Sequence, residues 1–296
     1  MRRQRWLPVV LLPVLMAGAV WLQHLREQVA PPAGGVALLY VRSPEAMKRL
    51  ALSFDSLAAD IYWIRALQHY GRNRLSGAGE YPQLFPLLDI TTSLDPHFNI
   101  AYRFGAIFLT EPPPWGPGRP DQAIALLEKG LASRPDRWEY AHDIGFVYYR
   151  QRDYRSAADW FQTAADIPGA AGWLQPLQAV TRTRGGDRQT ARRLWSELLN
   201  GAGAEDAWLR NEAARRLRQI DALDAIDTLQ RINQQYEQRT GRPPASWADL
   251  LRAGYLRGVP RDPDGYVFQL NPYRGRVTVD PKSPLSPLPR EDGEVP

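Results

Sequence analysis

Residues 141–164 read AHDIGFVYYRQRDYRSAADWFQTA, and this stretch decides the fold class. Its small residues, Gly145 and Ala157, stand where two helices would cross at close range. Tyr148 and Phe161 are bulky and fill the space on either side of that crossing. The apolar side chains recur at helical spacing. The stretch therefore predicts two helices packed against each other.

The same pattern returns at a fixed distance along the chain. Alanine recurs every 34 residues, at Ala123, Ala157 and Ala191, and a bulky side chain follows each of them four residues later. A period of this length is typical of stacked helical units rather than of a closed catalytic domain. Because stacked repeats usually act by presenting a surface, the period favours a binding protein.

The pattern resembles the tetratricopeptide repeat, a pair of antiparallel helices with small residues at the crossing and a proline at the exit. The unit at 141–164 matches without a gap, and weaker units precede and follow it. The preceding unit is interrupted by a proline-rich insert at 111–120, and the first helix of the following unit departs from the pattern at Pro176. The resemblance implies a mainly α fold, a tetratricopeptide-like helical-hairpin solenoid at 56–220.

The earliest unit begins with a long apolar helix that starts near Ser56 and ends in the glycine-rich stretch 76–79. Four apolar side chains repeat along it at helical spacing: Leu57, Ile61, Ile64 and Leu67. Asp60 lies among them, and a buried carboxylate would need a partner. We therefore expect a structural ion pair there, with Arg103 as a candidate partner.

The N-terminal segment, 1–29, has the features of a membrane-targeting sequence. Arginines precede an uncharged run from Trp6 to Leu22, which orients the N-terminus towards the cytoplasm. The small residues at 17–19 would suit removal by signal peptidase, whereas Trp6 and Trp21 bracket the run like interfacial anchors and favour an uncleaved signal anchor. Either alternative places the remainder in a bacterial periplasm, after a linker and lead-in at 30–55.

A different pattern occupies 221–280, after a helix break predicted at Asp221–Ala222. A long helix leads to a Gly-Pro turn, a short helix near Trp247 and a Pro-Asp-Gly turn at 263–265. Two strands, 266–270 and 276–279, are then joined by a hairpin loop, 271–275. The order of these elements resembles the soluble part of type II secretion major pseudopilins, which implies a small C-terminal α+β module of a helix and a β-hairpin.

This C-terminal stretch also departs from the pseudopilin pattern. The prepilin cleavage signal and the acidic calcium loop of that family are absent, so the resemblance implies a shared fold rather than filament assembly. Asp262 and Asp264 fit a turn better than a calcium site, because two carboxylates make an incomplete ligand set. The proline-rich tail, 281–296, is predicted to be disordered.

Composition narrows the function further. The chain of 296 residues has no cysteine, which excludes thiolate catalysis, disulfides and cysteine-based metal sites. Its net charge of +5 comes with no arginine cluster interleaved with aromatic stacking residues, so nucleic acid is not an expected partner. The four histidines lack metal-ligand spacing, and no nucleophile or phosphate-loop motif occurs. We therefore predict neither a cofactor nor a metal nor catalytic residues.

The tetratricopeptide resemblance implies where a partner would bind, in a concave groove lined by the first helix of each unit. The matching positions in this chain are Asn99, Tyr102, Glu139, His142, Phe146 and Tyr149. A groove rich in aromatic residues favours an extended peptide or a partner helix. The alternative, that Phe146 and Tyr149 only pack against the next unit, stays open. Trp115 in the insert is a second candidate contact, because its surrounding prolines make it rigid.

Together these features predict a non-enzymatic scaffold or adaptor held in the inner membrane by one helix, with most of the chain periplasmic. It would bind envelope proteins or peptides through its tetratricopeptide repeat domain, in a secretion, pilus or envelope-transport system. The alternative is a glycan- or peptidoglycan-binding accessory protein of an envelope enzyme, with aromatic residues stacking on sugars. The sequence leaves open the identity of the partner and the oligomeric state.

Overall fold

The computed structural model describes residues 16–18, 20–22, 43–77, 79–203 and 205–291. Its first compact unit ends at Arg42, and the few residues described there are helical. Most of the predicted anchor, and half of the predicted linker and lead-in (30–42), lie outside the described residues. Within the described part, a search for helices with the length and hydropathy of a membrane span finds none.

The second unit, from Ser43 onward, is mainly helical, with one small sheet. Its helices are α1 (Pro44–Leu50), α2 (Asp55–Ser76), α3 (Leu84–Leu94), α4 (Asn99–Thr110), α5 (Pro120–Ser133), α6 (Trp138–Arg150), α7 (Tyr154–Ala165), α8 (Leu174–Arg184), α9 (Arg188–Gly201), α10 (Ala207–Thr240) and α11 (Trp247–Arg252). Its strands are β1 (Gln269–Leu270) and β2 (Val277–Thr278). From α2 to α10, each helix packs against the next one along the chain.

Glycines let neighbouring helices approach closely where the sequence predicts a crossing. A Cβ atom on Gly145 would lie 2.6 Å from the ring of Phe161, so only glycine fits between α6 and α7. A Cβ atom on Gly105 would lie 2.9 Å from side-chain atoms of Leu88 and Leu126, so glycine at this position lets α4 pack closely against α3 and α5. Ala157 is fully buried at the α6–α7 crossing. The predicted role of these small residues is confirmed.

The apolar stripe predicted in the first long helix is real, but it faces outward. Its four residues are between 38% and 58% exposed: Leu57, Ile61, Ile64 and Leu67. The opposite face of α2 is the buried one, formed by Ala58, Ala59, Tyr62, Ala66 and Tyr70. Helical periodicity alone cannot separate two apolar faces of one helix, and the alanines allow the closer packing against α3.

Asp60 does not form the expected ion pair with Arg103. Asp60 is exposed on α2, so its carboxylate needs no buried partner. Arg103 instead binds Asp143 of α6, with Nε 2.5 Å from Oδ2. The expectation was wrong because the apolar neighbours of Asp60 belong to the exposed stripe rather than to the core.

Pro176 does not disrupt the first helix of the last repeat-like unit. Helix α8 begins at Leu174, so Pro176 stands in its first turn. A proline there lacks only an N–H group that has no partner within the helix. The departure from the repeat pattern is therefore compatible with a helix at this position.

The predicted break at Asp221–Ala222 is wrong, because α10 is continuous across it. The N-terminal half of α10 contributes Ala213 and Ile220 to a core shared with α8 and α9. Its C-terminal half contributes Ile226 and Leu229 to a second core. One continuous helix thus contributes to two cores.

The elements after α10 occur in the predicted order. Helix α10 is capped at its C-terminal end by Gly241, whose φ of 76° is left-handed, and α11 begins with a capping box between Ser246 and Asp249. Strands β1 and β2 pair antiparallel, with Gln269 opposite Thr278. They are shorter than predicted. The 271–275 segment joins them as the expected hairpin loop.

The proline-rich tail is ordered as far as Glu291, contrary to prediction. Leu285 is fully buried in the second core, and its carbonyl oxygen accepts a hydrogen bond of 2.8 Å from Nε2 of the buried Gln219. Arg188 of α9 binds Glu291 at 2.6 Å. Helix α10 has an apolar face that the tail covers. The composition of the tail alone does not indicate this contact. Residues 292–296 lie outside the described part.

An exposed apolar face on α4 and α6

Helix α4 carries a row of exposed apolar side chains. Ile100, Phe104 and Ile107 are each about half exposed, at 51–52%. They lie on the side of α4 opposite the buried Tyr102 and Leu109, as their three- and four-residue spacing requires. Water therefore contacts three large apolar side chains on one helix.

Contacts on both sides of α4 show which way this row faces. On the α2 side, Phe108 stacks on Tyr70 with 4.4 Å between ring centroids. The ring centroid of Trp63 lies 6.1 Å from that of Phe108. On the α6 side, Arg103 binds Asp143. The exposed row lies between these two lines of contact and so points away from both neighbours.

Phe146 extends the row onto α6. It is 51% exposed and lies between the residues that contact α4 and those that contact α8. Its position on α6 thus matches that of the exposed row on α4, and both point to the same side of the packed helices. We call these four residues the apolar face: Ile100, Phe104, Ile107 and Phe146.

An ion-pair network fixes α4 against α6 beneath the apolar face. Arg103 donates two hydrogen bonds to Asp143, and Nδ1 of His142 lies 2.9 Å from the same carboxylate. Burial opposes the charged form of Asp143, but the hydrogen bonds from His142 and Arg103 outweigh it, so the pKa of Asp143 is lowered. The carboxylate stays charged and holds both partners in place.

Aromatic side chains border the apolar face towards α8. His142 contacts Trp173 edge-on at 5.3 Å, and Trp173 is itself 51% exposed. The Tyr149 ring lies parallel to Phe146 at 6.3 Å. Arg184 donates a hydrogen bond of 2.7 Å to the Tyr149 hydroxyl and lies over its ring. This border is therefore held in a fixed arrangement while Phe146 and Trp173 remain accessible.

The predicted groove residues differ in how exposed their side chains are. Phe146 is exposed, whereas Asn99, Glu139, His142 and Tyr149 are half-buried. Glu139 pairs with Arg137 at 3.1 Å. The Oδ1 atom of Asn99 is buried and has no hydrogen-bond partner among the described residues.

Tyr102 is not a groove residue, and that prediction is wrong. It is fully buried, and its hydroxyl donates a hydrogen bond to the carbonyl oxygen of Thr92. A Cβ atom on Gly130 would lie 2.9 Å from its ring, so α5 closes over it. The reason is helical register: Tyr102 precedes Gly105 by three residues and shares the face of α4 that packs into the core.

Trp115 has an accessible side chain on an anchored backbone. Its indole is 55% exposed, while the hydroxyl of Tyr81 donates to the carbonyl oxygens of Pro114 and Trp115. The amide of Arg119 donates to Leu109 at the end of α4. The insert is thus fastened at several points, which is compatible with its proposed role as a contact.

The exposed row on α4 was not predicted from the sequence. Phe104 occupies a position that matches the tetratricopeptide pattern, and nothing in that pattern singles out Ile100 or Ile107. A signal was present, because α4 reads NIAYRFGAIFLT and its apolar residues exceed what one buried face can hold. Only the contacts of α4 decide which of them are covered.

The described residues show no arrangement suited to metal binding, since no group of three or more acidic, histidine or cysteine side chains is close enough to hold an ion. Asp262 uses its carboxylate within the turn: it accepts hydrogen bonds from the amides of Asp264 and Tyr266 and from the hydroxyl of Ser283. Asp264 pairs with Arg218 at 3.0 Å. These contacts fit the predicted turn.

Comparison with protein-family models, with curated proteins and with solved structures finds no match to this chain. The physical properties of the apolar face are therefore the basis for a functional assignment. The function is argued from three of these properties: its accessibility, its rigid support and its position on neighbouring helices.

Proposed function

We propose that this chain is a non-enzymatic scaffold or adaptor that binds a partner protein through the apolar face. The observation that carries the proposal is the exposure of four large apolar side chains on two adjacent helices. Singly exposed apolar residues are ordinary, whereas several of them on neighbouring helices support an interaction site. The ion pair of Arg103 with Asp143 holds the two helices in register before any partner binds.

The helices would form a tetratricopeptide-like solenoid, with the apolar face on its concave side. Support comes from the 34-residue period and from the close approach of consecutive helices at Gly105 and Gly145. A further support is that the exposed apolar residues of α4, and likewise Phe146 of α6, lie between the contacts that their helix makes with its two neighbours. In such a solenoid the first helix of each unit lines the binding surface.

The chemistry of the face favours an amphipathic helix or an extended peptide from an envelope protein. Ile100, Phe104 and Ile107 would contact apolar side chains of the partner, since they provide a narrow apolar strip. Charged side chains lie beside α4, since Arg103 pairs with Asp143 and Arg150 donates a hydrogen bond to Thr110. A partner segment with apolar anchors between charged residues would match both parts.

The proposed cellular setting is the bacterial envelope, with the chain anchored in the inner membrane and its bulk in the periplasm. Support comes from the arginines and the uncharged run at the N-terminus. A secretion, pilus or transport system is proposed from the pseudopilin-like order of elements after α10, in which α11 and the β-hairpin follow a long helix.

The alternative, a glycan- or peptidoglycan-binding accessory protein, rests on Trp115 and Trp173, whose rings are accessible. Sugar rings stack on flat aromatic faces, which the aliphatic side chains of Ile100 and Ile107 do not offer. The row on α4 therefore favours a protein partner. Sedimentation of the protein with purified peptidoglycan, with and without Trp173→Ala, tests the alternative.

A photo-crosslinking amino acid at position 104, in the native cell, tests the proposed function. We expect it to capture a discrete set of envelope proteins, and we expect Ile100→Ser with Ile107→Ser to abolish that capture. Val259→Ser is the matched control, because Val259 is 46% exposed but lies far along the chain in the C-terminal module. Unchanged capture by the double variant would contradict the proposal.

A further inference from the structure

Helix α2 has a second apolar side that no other described element covers. It opposes the buried face and contains six positions spaced alternately by four and three residues: Leu57, Ile61, Ile64, Gln68, Gly71 and Leu75. We call these positions the α2 stripe. Its leucines and isoleucines are between 46% and 92% exposed. A helix that is apolar on opposite sides is normally covered on both.

The alternating spacing is that of a coiled-coil seam. A 3.5-residue repeat keeps one stripe of side chains facing a partner helix along its whole length. Ile61, Gln68 and Leu75 occupy the a positions of this repeat, and Leu57, Ile64 and Gly71 occupy the d positions. A polar residue at an a position, here Gln68, is a device that sets register in two-stranded coils.

The charges beside the stripe indicate which helix would fit. Asp60 takes a g position and Arg65 the e position that follows. In a parallel pair of identical helices, each g residue faces the e′ residue five positions further along the partner, so Asp60 would face Arg65 of the other copy. Asp60 is exposed and makes no ion pair within the described chain.

The opposite orientation is electrostatically worse. In an antiparallel pair the g positions would set Asp60 opposite Arg74, but the e positions also face each other, which would bring Arg65 and Arg72 of both copies together. Like charges placed side by side at an interface disfavour that arrangement. The parallel pair gains two opposite-charge contacts by symmetry.

We propose that a second copy of this chain covers the α2 stripe, with the two α2 helices parallel and in register. The contact is isologous, since the same residues of each copy meet across a twofold axis. It uses none of the four residues of the apolar face, so different variants test dimerisation and partner binding. Failure of either proposal leaves the other in place.

Disulfide trapping tests the geometry, because the natural chain contains no cysteine. The full chain is prepared with Ile61→Cys or Ile64→Cys and oxidised with copper phenanthroline. A parallel, in-register pair places each of these positions beside itself, so both variants are expected to form disulfide-linked dimers. Glu128→Cys, exposed on α5, is the control and is expected to stay monomeric under the same treatment. Dimers at neither position, or at only one, would overturn the proposal.

Charge reversal tests the partner. Asp60→Arg alone would place arginine against arginine, and Arg65→Asp alone would place aspartate against aspartate. Each variant is expected to self-associate about tenfold more weakly than the natural chain in analytical ultracentrifugation. An equimolar mixture is expected to regain the dimer, because both contacts then join opposite charges.

A natural chain that remains monomeric at all concentrations would refute the proposal, and the stripe would then bind a different occupant. A mixture that associates no better than the single variants would refute it as well. Circular dichroism serves as the folding control, since both side chains are exposed and their reversal should leave the helical content unchanged.

Discussion

At the scale of single residues, Asp143 links the fold to the proposed binding face. Its carboxylate accepts hydrogen bonds from Arg103 of α4 and contacts His142 of its own helix. The side chain is only 19% exposed, so water contributes little to its solvation. A charge held in this way stabilises the arrangement of α4 and α6 only while it remains ionised.

Replacing Asp143 by asparagine should therefore give a pH-dependent loss of stability. The pKa of Asp143 is lowered from its ordinary value of 3.8, so its stabilising contribution is complete above that pH and is lost as pH falls through the lowered value. Near neutral pH, Asp143→Asn should cost about 2 kcal/mol, as for a hydrogen bond to a charged group. Urea unfolding at pH 7 and below pH 3 measures the difference between the variant and the natural chain.

Asp121→Asn is the control for that experiment. Asp121 also binds an arginine, Arg119, but both side chains are more than half exposed. Solvent screens such a pair, so little change in stability is expected at either pH. A stability difference for Asp143→Asn that is the same at pH 7 and below pH 3 would show that the charge of Asp143 is not the cause.

At the scale of elements, α2 and α10 each carry apolar residues on more than one side. In α2 one side is buried and the other forms the α2 stripe. In α10 the apolar residues divide along the helix, and the tail covers part of the second half through Leu285. The same property of the sequence thus produces an exposed surface in one helix and a covered one in the other.

Leu285→Ala tests whether the tail stabilises the C-terminal module. Leu285 is fully buried against residues of α10 and the β-hairpin, so its truncation should leave a cavity and cost about 2 to 5 kcal/mol. Thermal or denaturant unfolding followed by circular dichroism measures the loss. Val259→Ala, at an exposed position of the same module, should change stability by less than about 0.5 kcal/mol. Equal effects of the two substitutions would mean that the tail contributes nothing.

At the scale of the whole molecule, α10 joins the repeat-like helices to the C-terminal module. Ala213 and Ile220 pack with Trp195 of α9, whereas Ile226 packs with Phe268 beside the hairpin. Arg188 connects the two parts again by binding Glu291. One helix that contributes to two cores should make them unfold together.

Interrupting α10 should separate the two cores. We expect the natural chain to show one calorimetric transition, and a Gly-Ser-Gly-Ser insertion between Asp221 and Ala222 to produce two, because the rigid connection is lost. The same insertion between Gly241 and Arg242, in the turn after α10, should leave one transition. Two transitions in the natural chain would contradict the shared-helix account.

Much of the helical layout follows from local patterns in the sequence. The Gly145–Phe161 crossing, the ends of α2, and the order of elements after α10 all depend on residues close together in the chain. The exposure of Phe146 fits one of the two alternatives that the sequence left open. The row on α4 and the buried position of Tyr102 were not predicted, because each depends on which face of a helix its neighbours cover.

The sequence by itself thus determined that this protein is mainly helical, where most of its helices lie, and that it lacks cysteine chemistry. Only the tertiary structure decided which apolar stripes are core and which are surface, that α10 is continuous, and that the tail is ordered as far as Glu291. The physical reason is that helical spacing is a local property of the backbone. Burial depends on contacts between residues distant in the chain, such as those of Gln219 with Leu285.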